Sequence, residues 1–182
     1  MDWITSDHHF GHANIIKHCA RPFASVEEMD EKLILNWNER IGPRDTVYHL
    51  GDLIFRSAKA PEVYLNRLNG RIHLIRGNHD EKTIKDCAYR FASIRDMLVY
   101  RIAHRKIILC HYAFRLWEGS HLGTWHLYGH AHGNLPSFGL SFDVGVDCHD
   151  FLPWSWDEIK FKMVELKEVA TPVERRFQRN DT

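Results

Sequence analysis

The chain has 182 residues, 44% of them apolar, and its 24 Lys and Arg balance 24 Asp and Glu. That length suits one domain able to bury its own core, and the balance excludes both a broad basic field for nucleic acid and the acidic excess of a solvating segment. No apolar stretch approaches the roughly 20 residues of a membrane span, and Cys19, Cys87, Cys110 and Cys148, which form no C-x-x-C pair, read as reduced thiols of a cytoplasmic protein.

In chain order, Asp2 to Ser6 predicts a short strand that ends in the histidine-rich loop Asp7 to Asn14. Ser25 and Glu28 form an S-x-x-E capping box, and Val26, Met29, Leu33, Leu35 and Trp37 continue a helical pattern to Ile41, where Gly42-Pro43 stops it. Thr46 to Leu50 reads as a strand leading to Gly51-Asp52, Ala58 to Leu68 as a helix, and Arg71 to Arg76 as a strand leading to Gly77-Asn78-His79-Asp80. Ser93 to Ile102 and Lys106 to Cys110 read as two strands joined by a turn, the second ending on His111. Tyr112 to His126 reads as a long functional loop. Trp125 to Tyr128 leads to Gly129-His130-Ala131-His132, and Ser141 to Val146 predicts a further strand. Ser155 with Glu158 opens a final helix to about Leu166. Residues 1–170 are thus expected to form one domain and 171–182 a mobile tail.

Fourteen histidines stand out in this composition. Imidazole is the commonest metal ligand and a general acid near neutral pH, so their spacing decides what they are for. Five polar motifs, each closing a predicted strand, hold most of the chemistry: Asp7-x-His9, Gly51-Asp52, Gly77-Asn78-His79-Asp80, His111 and Gly129-His130-x-His132. Singly each is common by chance; together, in this order, they point to one assembled site.

The arrangement resembles the calcineurin-like metallophosphoesterases, whose five motifs all occur without substitution between Asp7 and about Pro153. Thr5 to His12 and Val144-Gly145-Val146-Asp147 are similar to stretches in the small, cap-less bacterial and phage-type members. The resemblance implies an α/β fold, a four-layer α-β-β-α sandwich of two mixed sheets, with the site at the strand ends. It also implies that Asp7, His9 and His132 hold one ion, Asn78, His111 and His130 a second, and that Asp52 bridges them. Mixed nitrogen and oxygen donors suit two divalent transition-metal ions, manganese first, with iron, nickel, cobalt or zinc also suited. The implied reaction is phosphoester hydrolysis by a metal-bridging hydroxide, as a phosphodiesterase or a phosphatase.

The same resemblance makes His79 the general acid, with Asp80 orienting its ring; the plainer role for His79 is to position a metal ligand. Protein Ser/Thr phosphatases of the superfamily carry an aspartate where this chain has Phe55, which argues against that identity. Arg56 is either a phosphate-gripping guanidinium or a solvated charge, and His12 either reaches substrate or is structural. Phe114, Trp117 and Trp125 either stack on a nucleobase or pack. The expected substrate is a phosphorylated small molecule, a nucleotide or a nucleic-acid end, with no membrane and no evident protein partner. The competing class is a non-catalytic metal-binding interaction module on the same fold.

Overall fold

In the computed structural model, residues 1–169 are described, and the expected mobile tail at 171–182 lies outside them. Strand β1 (Asp2–Thr5) runs parallel to β2 (Thr46–His49), which is parallel to β3 (Arg71–Ile75) and then β4 (Ser93–Arg95); β9 (Trp154–Ser155) lies antiparallel on the far edge of β1. A second sheet orders β5 (Met97–Ile102), β6 (Arg105–Cys110), β7 (Trp125–Tyr128) and β8 (Ser141–Asp143), antiparallel at the first pairing and parallel at the other two. Both sheets are therefore mixed, as expected for the fold.

Side-chain alternation along the strands makes two cores. Trp3, Val47, Ile72 and Leu74 face α2 (Val26–Arg40), whose Met29, Leu33 and Trp37 are wholly buried, together with Tyr64 and Leu65 of α3 (Pro61–Leu65). Ile4, Tyr48 and Ile75 face the second sheet, meeting Ile107, Leu109, Leu127 and Phe142, and α5 (Trp156–Val169) adds Ile159 and Met163. The outer face of the second sheet is covered by the 112–124 loop, through Phe114 and Trp117 against His126.

Local chemistry explains the element ends. Ser25 Oγ accepts the Glu28 N–H at 3.1 Å, while the Glu28 carboxylate reaches Ala24 N at 2.7 Å, a capping box displaced by one residue. At α5 the reciprocal box is complete, with Ser155 N donating to Glu158 Oε2 at 2.8 Å and Glu158 N to Ser155 Oγ at 3.2 Å. The helix expected from Ala58 to Leu68 shrinks to α3, because Pro61 forces Ala60 into an extended backbone with ψ 148° and so sets the first helical position.

The expected strand Ser93 to Ile102 is two strands in two sheets: Arg76 N donates to Arg95 O at 2.7 Å, and Asp96, ion-paired to Arg76, then turns the chain toward β6. The expected strand Ser141 to Val146 stops at Asp143, whose carboxylate accepts the Gly145 N–H at 2.7 Å. From there Gly145 pairs with Ser6 at the end of β1. Helices α1 (Ala13–His18) and α4 (Glu81–Cys87) and strand β9 have no counterpart in the sequence reading.

His126 fastens the 112–124 loop to the second sheet. Phe114 N donates to its Nε2 at 3.0 Å, so the ring proton sits on Nδ1 and is donated to Ile108 O at 3.0 Å. Burial holds its pKa below the ordinary imidazole value of 6.5. The unfolded chain therefore takes up a proton near pH 6.5 that the folded chain refuses, so this contribution is full above pH 6.5 and declines as pH falls toward the folded value. His126→Phe keeps a stacking ring but strands both backbone partners, costing about 1–3 kcal/mol at pH 7.5. Urea midpoints of both proteins at pH 7.5, 6.5 and 5.5 check this: the difference should shrink on acidification, and a constant difference would remove His126 from the pH dependence.

Candidate metal centre

All five motifs meet where the C-terminal ends of β1, β2, β3, β6 and β7 converge. Asp7 and His9 follow β1, Asp52 follows β2, Asn78 and His79 follow β3, His111 follows β6, and His130 and His132 follow β7. Such turns demand unusual backbone. Asp7 (φ 60°), His9 (53°), Asp52 (57°), Arg56 (48°), His130 (68°) and His132 (48°) all occupy the left-handed region, at a cost of about 1–3 kcal/mol each for residues other than glycine. The motif glycines allow the loops to touch: a Cβ on Gly129 would collide with Ser6 and Asp7, and one on Gly77 with Asp52.

The motif side chains form two groups of potential ligand atoms, Asp7, His9 and His132 in one and Asp52, His111 and His130 in the other, and His132 also lies in a third with Cys19 and Asp147. Asp52 Oδ2 lies between them, 3.6 Å from His9 Nε2, 3.6 Å from His111 Nε2 and 3.9 Å from His79 Nε2. Asp7 Oδ1 is 3.9 Å from both His9 Nε2 and His132 Nε2. These separations are too long for hydrogen bonds. On the second group, His111 donates from Nδ1 to Leu50 O at 2.7 Å, which leaves the Nε2 lone pair facing Asn78 Oδ1 at 3.0 Å. The sequence-derived ligand set is thus brought together in full.

Divalent cations fit this arrangement. Asp7 Oδ1 and both ring nitrogens of His9 are buried without a hydrogen-bond partner among the described residues, a costly state that a cation among them would relieve. Burial pushes Asp7 up to about 7 despite the opposing pull of His132 and His111, and burial beside His132 holds His9 far below its ordinary value. Burial also works against charge on His132, but the Asp147 carboxylate, with Cys19 and Asp7 nearby, outweighs it and raises His132 to about 10.

Several supports had no clear signal in the sequence. Buried Arg21 grips Asp147 through Nε and Nη2 at 2.8 Å each and donates to Asp7 O at 2.7 Å and His8 O at 2.9 Å. Asp147 in turn accepts the His132 Nδ1–H at 2.7 Å, aiming Nε2 inward. Only the Val144 to Asp147 stretch pointed toward this aspartate. Asp30, on α2, accepts from Gly11 N at 2.9 Å and fixes the first loop. His49 accepts from Gly51 N at 3.2 Å, so its Nε2–H is donated to His8 Nδ1 at 2.9 Å; His8 thereby points away from the centre.

Asp80 differs from expectation. Its oxygens accept the N–H groups of Asp52 (2.8 Å), Gly77 (2.8 Å) and Leu53 (3.0 Å), so it ties two site loops together instead of holding the His79 ring. That ring is stacked on Phe55 at 3.7 Å between centroids. His12 meets Phe55 edge-on at 4.8 Å, with its pKa lowered to about 4 by burial and by Arg56. Arg56 is exposed, its guanidinium 5.0 Å over the Phe55 ring. An open groove of about 500 Å³ runs past His9, His12, Arg56, His79, His130 and His132. Phe114 stacks on His126 and Trp125 enters the inter-sheet core, while Trp117 donates to Thr124 O at 2.8 Å, so these three aromatics pack. No helix among the described residues is long and apolar enough to cross a membrane.

The chain is similar to the uncharacterized protein MJ1445 of Methanocaldococcus jannaschii, 35% identical over 180 residues that cover 94% of this chain and 95% of that one. It is also similar to the Gene 66 protein of Mycobacterium phage D29, 27% identical over 201 residues, with 91% of this chain and 97% of that one covered. Among solved structures, AQ665 from Aquifex aeolicus, a protein of unknown function, matches with a TM-score of 0.69 and 26% identity, over 89% of this chain and 98% of that one. The family model for calcineurin-like phosphoesterases matches residues 3–162. With that model covering most of its length, the chain belongs to the calcineurin-like phosphoesterase family.

Proposed function

We propose that this chain hydrolyses phosphoesters with two divalent metal ions, Asp52 being shared between them and His79 acting as the general acid. The observation that carries the reading is Asp52 Oδ2, 3.6 Å from an imidazole nitrogen of each ligand group. Asp7, His9 and His132 would hold one ion and Asn78, His111 and His130 the other. When bound, two such ions acidify a water and offset charge on the phosphoryl oxygens. Manganese suits the mixed imidazole and carboxylate donors, as do iron, cobalt, nickel and zinc.

The remaining work falls to the chain's own groups. His79 Nε2 faces Asp52 at 3.9 Å while its ring rests on Phe55, so it can hand a proton to a leaving oxygen at the centre without being tied up as a ligand. Asp80 is a positioning residue that keeps the Asp52 and Asn78 loops in register. Arg56, His12 and Asn78 line the approach and would contact phosphate. The open groove suits a phosphorylated small molecule, a nucleotide or a nucleic-acid end, as monoester or diester.

Asp52→Asn should weaken metal at both positions. Metal analysis after chelation and Mn²⁺ titration checks it, together with thermal unfolding, where a free concentration of 100 times Kd stabilises by about 2.7 kcal/mol. Two ions retained at wild-type affinity would remove Asp52 from the shared role.

His79→Asn should keep both ions yet lower kcat by about 10²–10⁴ on esters with alkoxide leaving groups. An activated aryl ester such as bis(p-nitrophenyl) phosphate departs with little protonation and should lose far less. Equal losses on the two classes, with metal intact, would turn His79 from acid to phosphate-orienting group. Two bound ions with no turnover of any ester would favour a binding module instead.

A further inference from the structure

Beside the centre lies a second recess, of about 280 Å³, that shares Phe55, Arg56 and His79 with the open groove but is lined by none of the expected ligands except Asn78. Its apolar side is Ile54, Phe55 and Pro61. Its polar lining carries three cations, Arg56, Lys59 and Lys82, against one carboxylate, Glu81. Lys82 is paired with Asp86 at 2.5 Å. Among the described residues neither Arg56 nor Lys59 has a carboxylate within salt-bridge distance; each cation instead lies over an aromatic ring, Arg56 at 5.0 Å from Phe55 and Lys59 at 6.0 Å from Tyr64. Arg56 also has a left-handed backbone, φ 48°.

The geometry points to this recess as the leaving-group subsite, built for a leaving group that carries a phosphate of its own, such as a nucleoside monophosphate released from an oligonucleotide. The inference rests on the proposed hydrolytic function and names its substrate class. His79 is the hinge of the argument: Nε2 faces Asp52, and the same residue forms a wall of the recess. In hydrolysis the water oxygen bonds to phosphorus and the P–O bond to the leaving group breaks. His79 gives its proton to that departing oxygen, and the recess walled by the same residue is where the released alcohol is placed in this proposal. A neutral alcohol would use only the apolar wall. The unpaired cations gain a partner only when the leaving group is anionic, and charged hydrogen bonds of this kind are roughly twice as strong as neutral ones.

The test titrates the chelated full chain with thymidine, thymidine 3′-monophosphate and thymidine 5′-monophosphate, and assays the Mn²⁺-loaded protein on dithymidine monophosphate with and without a terminal phosphate. At least one monophosphate should bind about tenfold tighter than thymidine, with the gain fading as salt rises. Lys59→Ala should abolish most of that gain and lower the kinetic preference for the phosphate-bearing dinucleotide by about tenfold, chiefly through KM. Lys59 is exposed, so the variant should fold. Equal affinity for thymidine and both monophosphates, or a gain that the variant keeps, would overturn the subsite. Phosphate-dependent binding that the variant loses, with neither dinucleotide turned over, would support a phosphate-binding recess and overturn both its leaving-group role and the hydrolytic reading.

Discussion

A carboxylate buried with an unpartnered oxygen is the constraint on which this molecule is built. Among the described residues Asp7 Oδ1 has no hydrogen-bond partner, neither ring nitrogen of His9 has one, and His111 Nε2 faces the Asn78 amide oxygen. Left alone, such a cluster would relax by protonation, by rotation of side chains or by entry of solvent. The surrounding structure resists relaxation at every loop. Arg21 holds the backbone of Asp7 and His8, Asp80 holds that of Asp52 and Gly77, and Asp30 holds Gly11. Charged side chains are thus committed to fixing backbone, and five of the seven expected ligands sit in left-handed conformations.

That pre-organisation depends on the seam between the two sheets. The first sheet delivers Asp7, His9, Asp52 and Asn78; the second delivers His111, His130 and His132. The seam is closed by backbone contacts at the site itself, Ser6 bridging Gly145 and His130 N donating to Asp7 Oδ2 at 2.9 Å. Packing of Ile4, Tyr48 and Ile75 against Ile107, Leu109 and Leu127 supplies the apolar attraction behind it. Stability and site geometry therefore share the same contacts.

What could be read in advance follows from how local each signal is. Asp7, His9, Asp52, Asn78, His111, His130 and His132 were legible because each lies in a short motif just after a β-rich run; those runs gave an α/β or mixed-sheet core, and the pair of mixed sheets came only with the family resemblance. Arg21 was not, since its partner Asp147 lies 126 positions away and nothing near Arg21 announces it. Pro61 should have shortened the helix around it, because its effect on the preceding residue is local. The break at Asp96 had no such cue: Ser93 to Ile102 reads as one strand, and only the competing demands of β3 and β6 divide it. Asp80 was assigned to its sequence neighbour His79, whereas its carboxylate finds backbone donors across the fold. Phe55 was visible only as the residue replacing an aspartate, and its role as the surface under His79 is a matter of three-dimensional contact.

The division at Asp96 also orders events as the polypeptide leaves the ribosome. Everything before it pairs within the first sheet, and everything from Met97 to Asp143 pairs within the second. A nascent chain therefore presents Asp7, His9, Asp52 and Asn78 while His111, His130 and His132 are still being synthesised. Since proteins emerge N-terminus first at roughly 5–20 residues per second, the half-site waits on the order of seconds with Asp7 lacking the His130 N–H. The centre can close only after Gly145 has emerged to meet Ser6, so the two halves of the donor set come together late in synthesis.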